Sequence, residues 1–224
     1  MDINKQDWLQ SNTKEGSTYT MKVAIIGAGN VGQALATSLV RAGHDVSLSA
    51  STPESAQSAA EAVGASAATS NASAAAGADV TILAVPYVGA GKAVAEEIRS
   101  AVAGRTVIDA TNPIRPDFSG LATDDRSGAE ELQASLAGAN VVKAFNTIFA
   151  TNQANPTADI DGYVAGDDAK AKATVMGLVE SMGFSPVDVG PLSAARHLEG
   201  MAWLNIGLNA SNGWGWTSAW RLDR

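Results

Sequence analysis

"KVAIIGAGNVGQAL", from Lys22 to Leu35, is the stretch that decides the fold of this 224-residue chain. After Lys22, its next five residues form a continuous apolar run, which is typical of a strand buried on both faces of a parallel sheet. Gly27, Gly29 and Gly32 then follow the G-x-G-x-x-G spacing, and apolar residues at helical spacing come after them. A strand, this glycine turn and a helix in that order indicate a dinucleotide-binding βαβ unit.

Each glycine of this loop has a separate physical role in such a unit. Gly27 permits the tight turn, Gly29 lets the backbone approach a pyrophosphate, and Gly32 allows the helix to pack closely on the strand. The phosphates then meet the unpaired N–H groups and the positive dipole at the helix N-terminus. The loop therefore predicts a site for a nicotinamide dinucleotide.

Strand-like and helix-like segments alternate along the rest of the chain. Further strands are expected at 45–49, 65–69, 79–85, 106–111, 140–145, 162–166 and 185–190, with helices between them and a long helix from about Pro191. This alternation predicts an α/β fold, a doubly wound, mostly parallel Rossmann sheet with a small C-terminal α/β extension that ends in a long helix. We expect a flexible N-terminal extension over 1–20, a dinucleotide-binding domain over 21–150, and a substrate-side and dimerisation region over 151–224.

Composition excludes several classes of function. The net charge of −8 disfavours nucleic acid and anionic membranes as partners. The chain has no cysteine and two histidines, so we expect no disulfide and no metal site. No apolar run reaches the length of a membrane span, and the polar first twenty residues lack a signal-peptide core. A cytoplasmic protein that takes small-molecule substrates is the expectation.

Ligands in open α/β sheets lie at the carboxyl ends of the strands. That geometry selects Ser49, Ala50, Ser51 and Thr52 after the second strand, Pro86 and Tyr87 after the fourth, Thr111, Asn112 and Pro113 after the fifth, and Asn146, Thr147 and Ile148 after the sixth. It also excludes Arg41, His44 and Asp45, which fall at the opposite edge. "STPE" further predicts a capping box, with Ser51 as the N-cap and Glu54 three residues later.

Several motifs in fixed order carry a family resemblance. They are the glycine loop, "AVPY" (84–87), "DATNP" (109–113), "KAFNT" (143–147) and "GPLSAARHLEGMAWLNI" (190–206). With them the chain resembles the NADP oxidoreductases that depend on coenzyme F420, over roughly residues 21–210. It is similar to the NADPH:F420 oxidoreductase type, whose fold also occurs in the nicotinamide-binding domain of membrane ferric reductases.

The resemblance implies hydride exchange between NADP(H) and a deazaflavin, coenzyme F420, stacked over the strand ends. By the same resemblance Asn30 and Val31 join the glycines at the pyrophosphate, and Pro86 lies along the nicotinamide. The deazaflavin side would be lined by Asn112, Asn146, Thr147, Ile148, Met201 and Leu204. Transfer between two cofactors needs proximity and orientation more than an acid or base, and no catalytic residue is assigned.

The cofactor preference is decided in "HDVSLSASTPES" (44–55). Relatives commonly carry Ser-Arg-Arg after the second strand, whereas this chain has Ser49 followed by Ala50 and Ser51. No acidic residue closes the strand to hold a free ribose in the NAD manner. We expect NADP, held by the hydroxyls of Ser49, Ser51 and Thr52 and by the next helix N-terminus, with weakened discrimination against NAD.

Simpler roles stay open for several of these residues. Asn112 could only fix its turn before a proline, and Asn146 could only cap the segment after its strand. His197 is expected at the surface or at an interface. The tryptophan-rich tail, "NGWGWTSAW" (212–220), is expected to pack or to form a dimer contact.

Three other functions remain as alternatives. One is an imine or hydroxyacid reductase of the 6-phosphogluconate dehydrogenase-like group, although about sixty residues after Gly162 are too few for its helical domain. Another is a soluble reductase that passes electrons to flavin or ferric iron. The third is a redox sensor that binds NADP(H) and oxidises none.

Overall fold

The structure is a computed structural model that describes residues 20–224. The extension expected over 1–20 lies, apart from Thr20, outside the described residues. The strands are β1 (Lys22–Ile26), β2 (Asp45–Ser49), β3 (Ser66–Ala67), β4 (Val80–Leu83), β5 (Thr106–Asp109), β6 (Asn140–Lys143), β7 (Asp161–Gly166) and β8 (Ser185–Asp188). The α-helices are α1 (Asn30–Arg41), α2 (Pro53–Val63), α3 (Asn71–Ala76), α4 (Lys92–Ile98), α5 (Gly128–Ser135), α6 (Ala150–Ala154), α7 (Ala169–Met182) and α8 (Ala195–Asn212).

The described strands form one sheet in the order β3-β2-β1-β4-β5-β6-β7-β8. Neighbouring strands are parallel from β3 to β6, β7 is antiparallel to β6, and β8 is parallel to β7. The order reverses at β1, where one crossover leads to β2 and a later one to β4. The predicted doubly wound Rossmann sheet is thus confirmed, and the residues after 150 extend the same sheet.

Two apolar layers cover the faces of this sheet. Side chains alternate across a strand, so Ile25 of β1 packs with α1 and α7 on one face, whereas Ile26 packs with α4 and α5 on the other. Both isoleucines are fully buried. This burial on two sides explains why the parallel strands appear in the sequence as unbroken apolar runs.

The start of α2 corrects the predicted capping box. Thr52, not Ser51, is the N-cap, and its Oγ1 accepts a hydrogen bond from Ser55 N at 3.2 Å. Pro53 is the first helical residue, and a proline forces the residue before it into extended backbone. Thr52 accordingly has φ −134° and ψ 151°, so the cap falls one residue later than "STPE" suggested.

The helix expected near 89–101 also begins later than predicted. Tyr87–Gly91 forms a π-turn in which Val88 and Gly89 are not helical, and Gly89 has a φ of +95°. α4 starts only at Lys92. At the other end of the chain, α8 is the long final helix that was predicted, and a short 3₁₀ turn over Leu192–Ala194 precedes it. Among the residues described, no helix is both long and apolar enough to cross a membrane.

Candidate functional site

The glycine loop joins β1 to α1 with the geometry that the sequence predicts. Gly27 has a φ of +112°, and a side chain there would collide with the backbone of Ala84. A Cβ at Gly32 would collide with the carbonyl oxygen of Gly27. Gly29 is exposed, and a Cβ there would meet no atom within 4 Å. The first and third glycines are therefore required by packing, whereas the second leaves space in front of the helix.

The N-terminus of α1 presents its backbone N–H groups to that space. Among the described residues, no side chain caps this helix and no acidic residue lies in its first turn. Gln33 instead fixes the loop, because its Nε2 donates to Ala28 O at 2.8 Å. Asn30 is exposed at the first helical position, and Val31 follows it. An uncapped helix start beside open space can bind a phosphate.

The end of β2 holds the hydroxyls expected at the ribose. Ser49 is fully buried, and its Oγ donates to Asn71 Oδ1 at 2.7 Å. Thr52 is engaged with Ser55, whereas Ser51 is exposed and Ala50 is half-buried. A contact between Ser49 and a 2′-phosphate stays a prediction, and the hydroxyl would have to turn from Asn71 to donate to it.

A cavity of about 170 Å³ lies beside the glycine loop at the carboxyl ends of β5 and β6. Its lining combines Val31 of α1, Ala110 and Asn112 after β5, residues 145–150 after β6, Gln153 of α6, and Ala202, Asn205 and Ile206 of α8. A cavity of about 150 Å³ is known to take one benzene ring. This cavity therefore has the size of a single six-membered ring.

Two asparagines hold together the loops at the mouth of this cavity. Asn112 Nδ2 donates to Asn146 O, and Asn146 Nδ2 donates to Asn112 Oδ1 and to Leu198 O, each at 3.0 Å. Asn146 thereby ties both strand ends to α8. The side-chain hydrogen bonds of these asparagines run between the two loops and to α8, so they fix the cavity wall, and their contact with a deazaflavin stays a prediction.

Two buried amide oxygens among the cavity-lining residues have no hydrogen-bond partner within the described part of the chain: Asn146 Oδ1 and Gln153 Oε1. The amides cannot simply be flipped, because each nitrogen already donates to acceptors. Gln153 Nε2 donates to Phe145 O at 3.1 Å and to Ile148 O at 2.9 Å. Buried acceptors without donors are unfavourable, so this pair favours a ligand that carries N–H groups.

The face of α8 at the cavity differs from the predicted one. Leu204 is 53% exposed, and Met201 packs with Leu198 and Tyr163 toward β7. Neither residue lines the cavity, which instead receives Ala202, Asn205 and Ile206. Pro86 is exposed after β4 and lies outside the cavity lining as well, whereas Thr147 and Ile148 are buried and line it.

A buried ionic cluster lies behind the cavity wall, and the sequence analysis missed it. Lys143 Nζ donates to Asp109 Oδ2 at 2.9 Å, to Glu199 Oε1 at 2.9 Å and to Thr111 O at 2.8 Å. All three ionised side chains are essentially unexposed. Burial alone would lower the pKa of Lys143, but the two carboxylates outweigh it and hold that pKa above its ordinary value. A lysine within the apolar run "NVVKAF" was the available signal.

Tyr87 borders this cluster from the loop after β4. Its hydroxyl donates to Glu131, and its ring lies so close to Gly128 that a Cβ there would meet it at 2.8 Å. Burial and the neighbouring Glu131 raise the pKa of Tyr87 well above its ordinary value. Tyr87 is therefore a neutral donor over the working pH range.

The residues excluded from the site do lie at the opposite edge of the sheet. Arg41 Nη2 donates to Ala154 O, and Asp45 begins β2. His44 is buried, with Nδ1 accepting from Met21 N at 3.2 Å and Nε2 paired with Ser181 Oγ at 2.9 Å. His197 is exposed on α8, as expected.

The tryptophan-rich tail folds back beside the cavity. Trp216 packs edge-on against Phe149, with the ring centroids 5.5 Å apart, and Trp220 packs into the cluster of Tyr163 and Leu198. Ser218 joins Asn205 and Asn209 in a hydrogen-bonded network. The predicted packing role is seen for these residues, and a dimer contact stays a prediction.

Comparison with known proteins supports the family resemblance. Residues 22–113 match the family described as NADP oxidoreductase, coenzyme F420-dependent. The structure of a candidate F420-dependent NADP-reductase from Arthrobacter sp. FB24 is 26% identical to this chain in sequence. The match covers 91% of this chain and 100% of that chain, with a TM-score of 0.81. These two matches bear out the resemblance of the chain to the F420-dependent NADP oxidoreductase family. It is an NADP-dependent oxidoreductase.

Other members and relatives of this oxidoreductase fold extend the comparison. A hypothetical protein from Sinorhizobium meliloti is 33% identical, with 85% of this chain and 91% of that chain covered and a TM-score of 0.66. A reductive aminase from Aspergillus terreus, solved with NADPH and ethyl levulinate, is 21% identical with a TM-score of 0.64. The match covers 63% of the aminase chain, and at 21% identity it shows only that the two proteins share the fold.

Proposed function

We propose that this oxidoreductase transfers a hydride between NADP(H) and a deazaflavin, coenzyme F420. The observation that carries the proposal is the cavity, whose lining joins Val31, next to the glycine loop, to the strand-end loops and α8. A nicotinamide ring that extends from a pyrophosphate at α1 would reach this cavity. The second ring system would lie over the same strand ends.

The residues present fit a dinucleotide. Open space in front of Gly29 and the uncapped start of α1 suit a pyrophosphate. The cavity has the volume of one ring, and the unpartnered oxygens of Asn146 and Gln153 favour a ring that carries amide or imide N–H groups. Nicotinamide has a carboxamide N–H, and a deazaflavin has an imide N–H, so both fit that requirement.

The side chains of the site bind and orient rather than react. When both cofactors are bound, a hydride passes from NADPH to the deazaflavin, which also takes a proton from water, and NADP⁺ is formed. Phe145 and Ile148 are buried, and with Ala202 they give the cavity an apolar wall that excludes water. The Asn112–Asn146 pair keeps the strand ends and α8 in fixed positions, which supplies the proximity that hydride transfer needs.

We further propose that NADP is preferred to NAD despite the absence of arginines after β2. Ser51 and Thr52 lie at the N-terminus of α2, where hydroxyls and backbone N–H groups can meet a 2′-phosphate. No Asp or Glu closes β2 to accept hydrogen bonds from a free ribose. We also propose a cytoplasmic homodimer, for which sedimentation of the purified protein gives the subunit number.

A matched pair of variants on α8 tests whether hydride transfer uses this cavity. Ile206→Trp puts a large ring on the cavity side of the helix, whereas Leu208→Trp enlarges an exposed position two residues away. Turnover is measured with NADPH and the deazaflavin, and NADPH affinity by titration. We expect Ile206→Trp to lower kcat/KM for the deazaflavin about tenfold or more, since a pocket that loses one ring's volume loses a few kcal/mol of binding.

The control defines what would contradict the proposal. Leu208→Trp should leave both measurements unchanged, whereas Ile206→Trp should also weaken NADPH binding, because its indole takes the space of the nicotinamide ring. Unchanged turnover in a folded Ile206→Trp protein would mean that hydride transfer does not use this cavity.

A further inference from the structure

The cluster of Lys143, Asp109 and Glu199 contains one more negative charge than positive charge. Asp109 accepts from Thr111 N at 2.9 Å, Thr111 Oγ1 at 2.7 Å and Lys143 Nζ at 2.9 Å. Glu199 accepts from Lys143 Nζ at 2.9 Å, and the backbone of α5 supplies its other donors. Every partner of the two carboxylates thus donates to them, and among these partners only the Thr111 hydroxyl could also accept a hydrogen bond.

Those partners decide the protonation of the carboxylates. The two backbone donors to Glu199 are Gly128 N at 3.1 Å and Ala129 N at 3.3 Å. Neither N–H group could accept a hydrogen bond from a protonated Glu199. A protonated Glu199 would leave an O–H with nothing to donate to, and a protonated Asp109 could donate only to the Thr111 hydroxyl. With both side chains in the ordinary charged form of a carboxylate, and with the ammonium, the cluster has a net charge of −1. The N-terminus of α5 offsets this charge only in part.

The cluster lies directly behind the cavity. Asp109 ends β5 and Lys143 ends β6, opposite each other in register. The cavity is lined by residues that follow these two strand ends: Ala110 and Asn112 after β5, and Phe145 after β6. Glu199 lies on α8 one turn before Ala202, which also lines it. The charge is thus separated from the cavity by a single layer of residues from which water is excluded.

We propose that this buried charge stabilises the positively charged ring of bound NADP⁺ over the neutral ring of NADPH. The inference rests on the proposed placement of the nicotinamide in the cavity. The cluster does not contact the ring and acts through its electric field, which is little screened in the protein interior. Stabilising the oxidised form lowers the reduction potential of the bound couple, so bound NADPH becomes a stronger hydride donor and the reaction is biased toward reduction of the acceptor.

The size of the effect follows from Coulomb's law. A unit charge about 10 Å from the ring, at an effective dielectric constant of about 20, changes the relative affinity of the two forms about tenfold. The pyrophosphate and the 2′-phosphate are the same in NADP⁺ and NADPH, so the ratio of their dissociation constants isolates the ring.

Two substitutions remove the same charge from opposite sides of the lysine. Glu199→Gln and Asp109→Asn each make the cluster neutral, and Glu180→Gln removes an exposed charge on α7 as the control. The dissociation constants of NADP⁺ and NADPH are measured by titration, without any acceptor. We expect the ratio Kd(NADP⁺)/Kd(NADPH) to rise about tenfold in both cluster variants and to stay unchanged in the control.

A merely structural role would give a different result. Loosening of α8 or of the strand ends would weaken both forms together and leave the ratio constant, which would overturn the inference. A ratio that changes in only one of the two variants would overturn it too, because the same charge is removed in each. The wild-type protein offers a check that needs no variant: NADP⁺ should bind at least as tightly as NADPH, and a much weaker NADP⁺ would also overturn it.

The same titration separates this inference from the function on which it rests. A wild-type protein that binds neither form overturns both. Tight binding of both forms with a ratio that the variants leave unchanged overturns only the electrostatic role, and the proposed NADP(H) site stands.

Discussion

Replacing Lys143 with methionine should destabilise the protein far more than most single substitutions. The ammonium makes three hydrogen bonds, two of them to ionised carboxylates, and its side chain is 0% exposed. Methionine fills a similar volume but leaves Asp109 and Glu199 buried without a counter-ion. Breaking a buried ion pair in this way costs about 3–5 kcal/mol. For a domain of this size, that corresponds to a fall in Tm of roughly 10 °C.

Urea unfolding at pH 7 measures the loss, with Lys172→Met as the matched control. Lys172 Nζ lies 3.0 Å from Asp188, whose side chain is 44% exposed, so its loss should cost less than about 1 kcal/mol. The unpaired carboxylates of the Lys143 variant can shed charge only by taking up protons. Its deficit should therefore shrink between pH 7 and pH 5. A deficit near that of the control, or one that is the same at both pH values, would refute this account of the cluster.

Three further predictions concern cofactor binding and pH. Ala50→Arg should raise the preference for NADP over NAD by about tenfold or more, because it adds a charge-assisted bond to the 2′-phosphate. A substitution that lowers the dissociation constants of NADP and NAD by the same factor would count against it. Gly29→Val should abolish NADPH binding in a folded protein, since its side chain enters the phosphate space while a Cβ at this position meets no protein atom within 4 Å, and unchanged affinity would exclude the loop. Burial lowers the pKa of His44 from 6.5, so its contribution to stability is complete above that pH and is lost as pH falls through the folded-state pKa. His44→Gln should accordingly lose less stability than wild type between pH 7 and pH 5, as thermal unfolding at the two pH values would show.

The fold could be predicted because its signals are local. β1 and the glycine loop combine a buried strand, a required turn and a helix start within fourteen residues, and each agrees with the others. The start of α2 was placed one residue early because a capping pattern and a proline competed there. Pro53 decides the outcome, since the residue before a proline cannot be helical without a steric clash.

The site could be predicted only where it depends on strand ends. Asn112, Asn146 and Ile148 follow strands directly, so sheet topology alone brings them together. The face of α8 depends on how a helix with apolar residues all round is rotated against the sheet, and the sequence does not determine that rotation. Met201 and Leu204, which the family resemblance assigns to the deazaflavin side, lie outside the cavity lining, and their contact with a deazaflavin stays a prediction.

The ionic cluster depends on contacts between distant parts of the chain. Lys143 and Glu199 are 56 residues apart and meet only through the packing of α8 against the strand ends. A lysine in a buried strand requires a partner, but the sequence contains 23 acidic residues from which to choose. Only the tertiary structure selects two of them.

Oxidation of NADPH by the purified protein, compared across acceptors, tests the central claim most directly. The acceptors are the deazaflavin coenzyme F420, FMN, FAD and a ferric chelate, each supplied at the same concentration. Hydride transfer to the deazaflavin should be far faster than to the other three, with NADP⁺ and reduced deazaflavin formed in equal amounts. Rapid reduction of FMN or ferric iron with none of the deazaflavin, or tight NADPH binding without turnover on any acceptor, would contradict the proposed function.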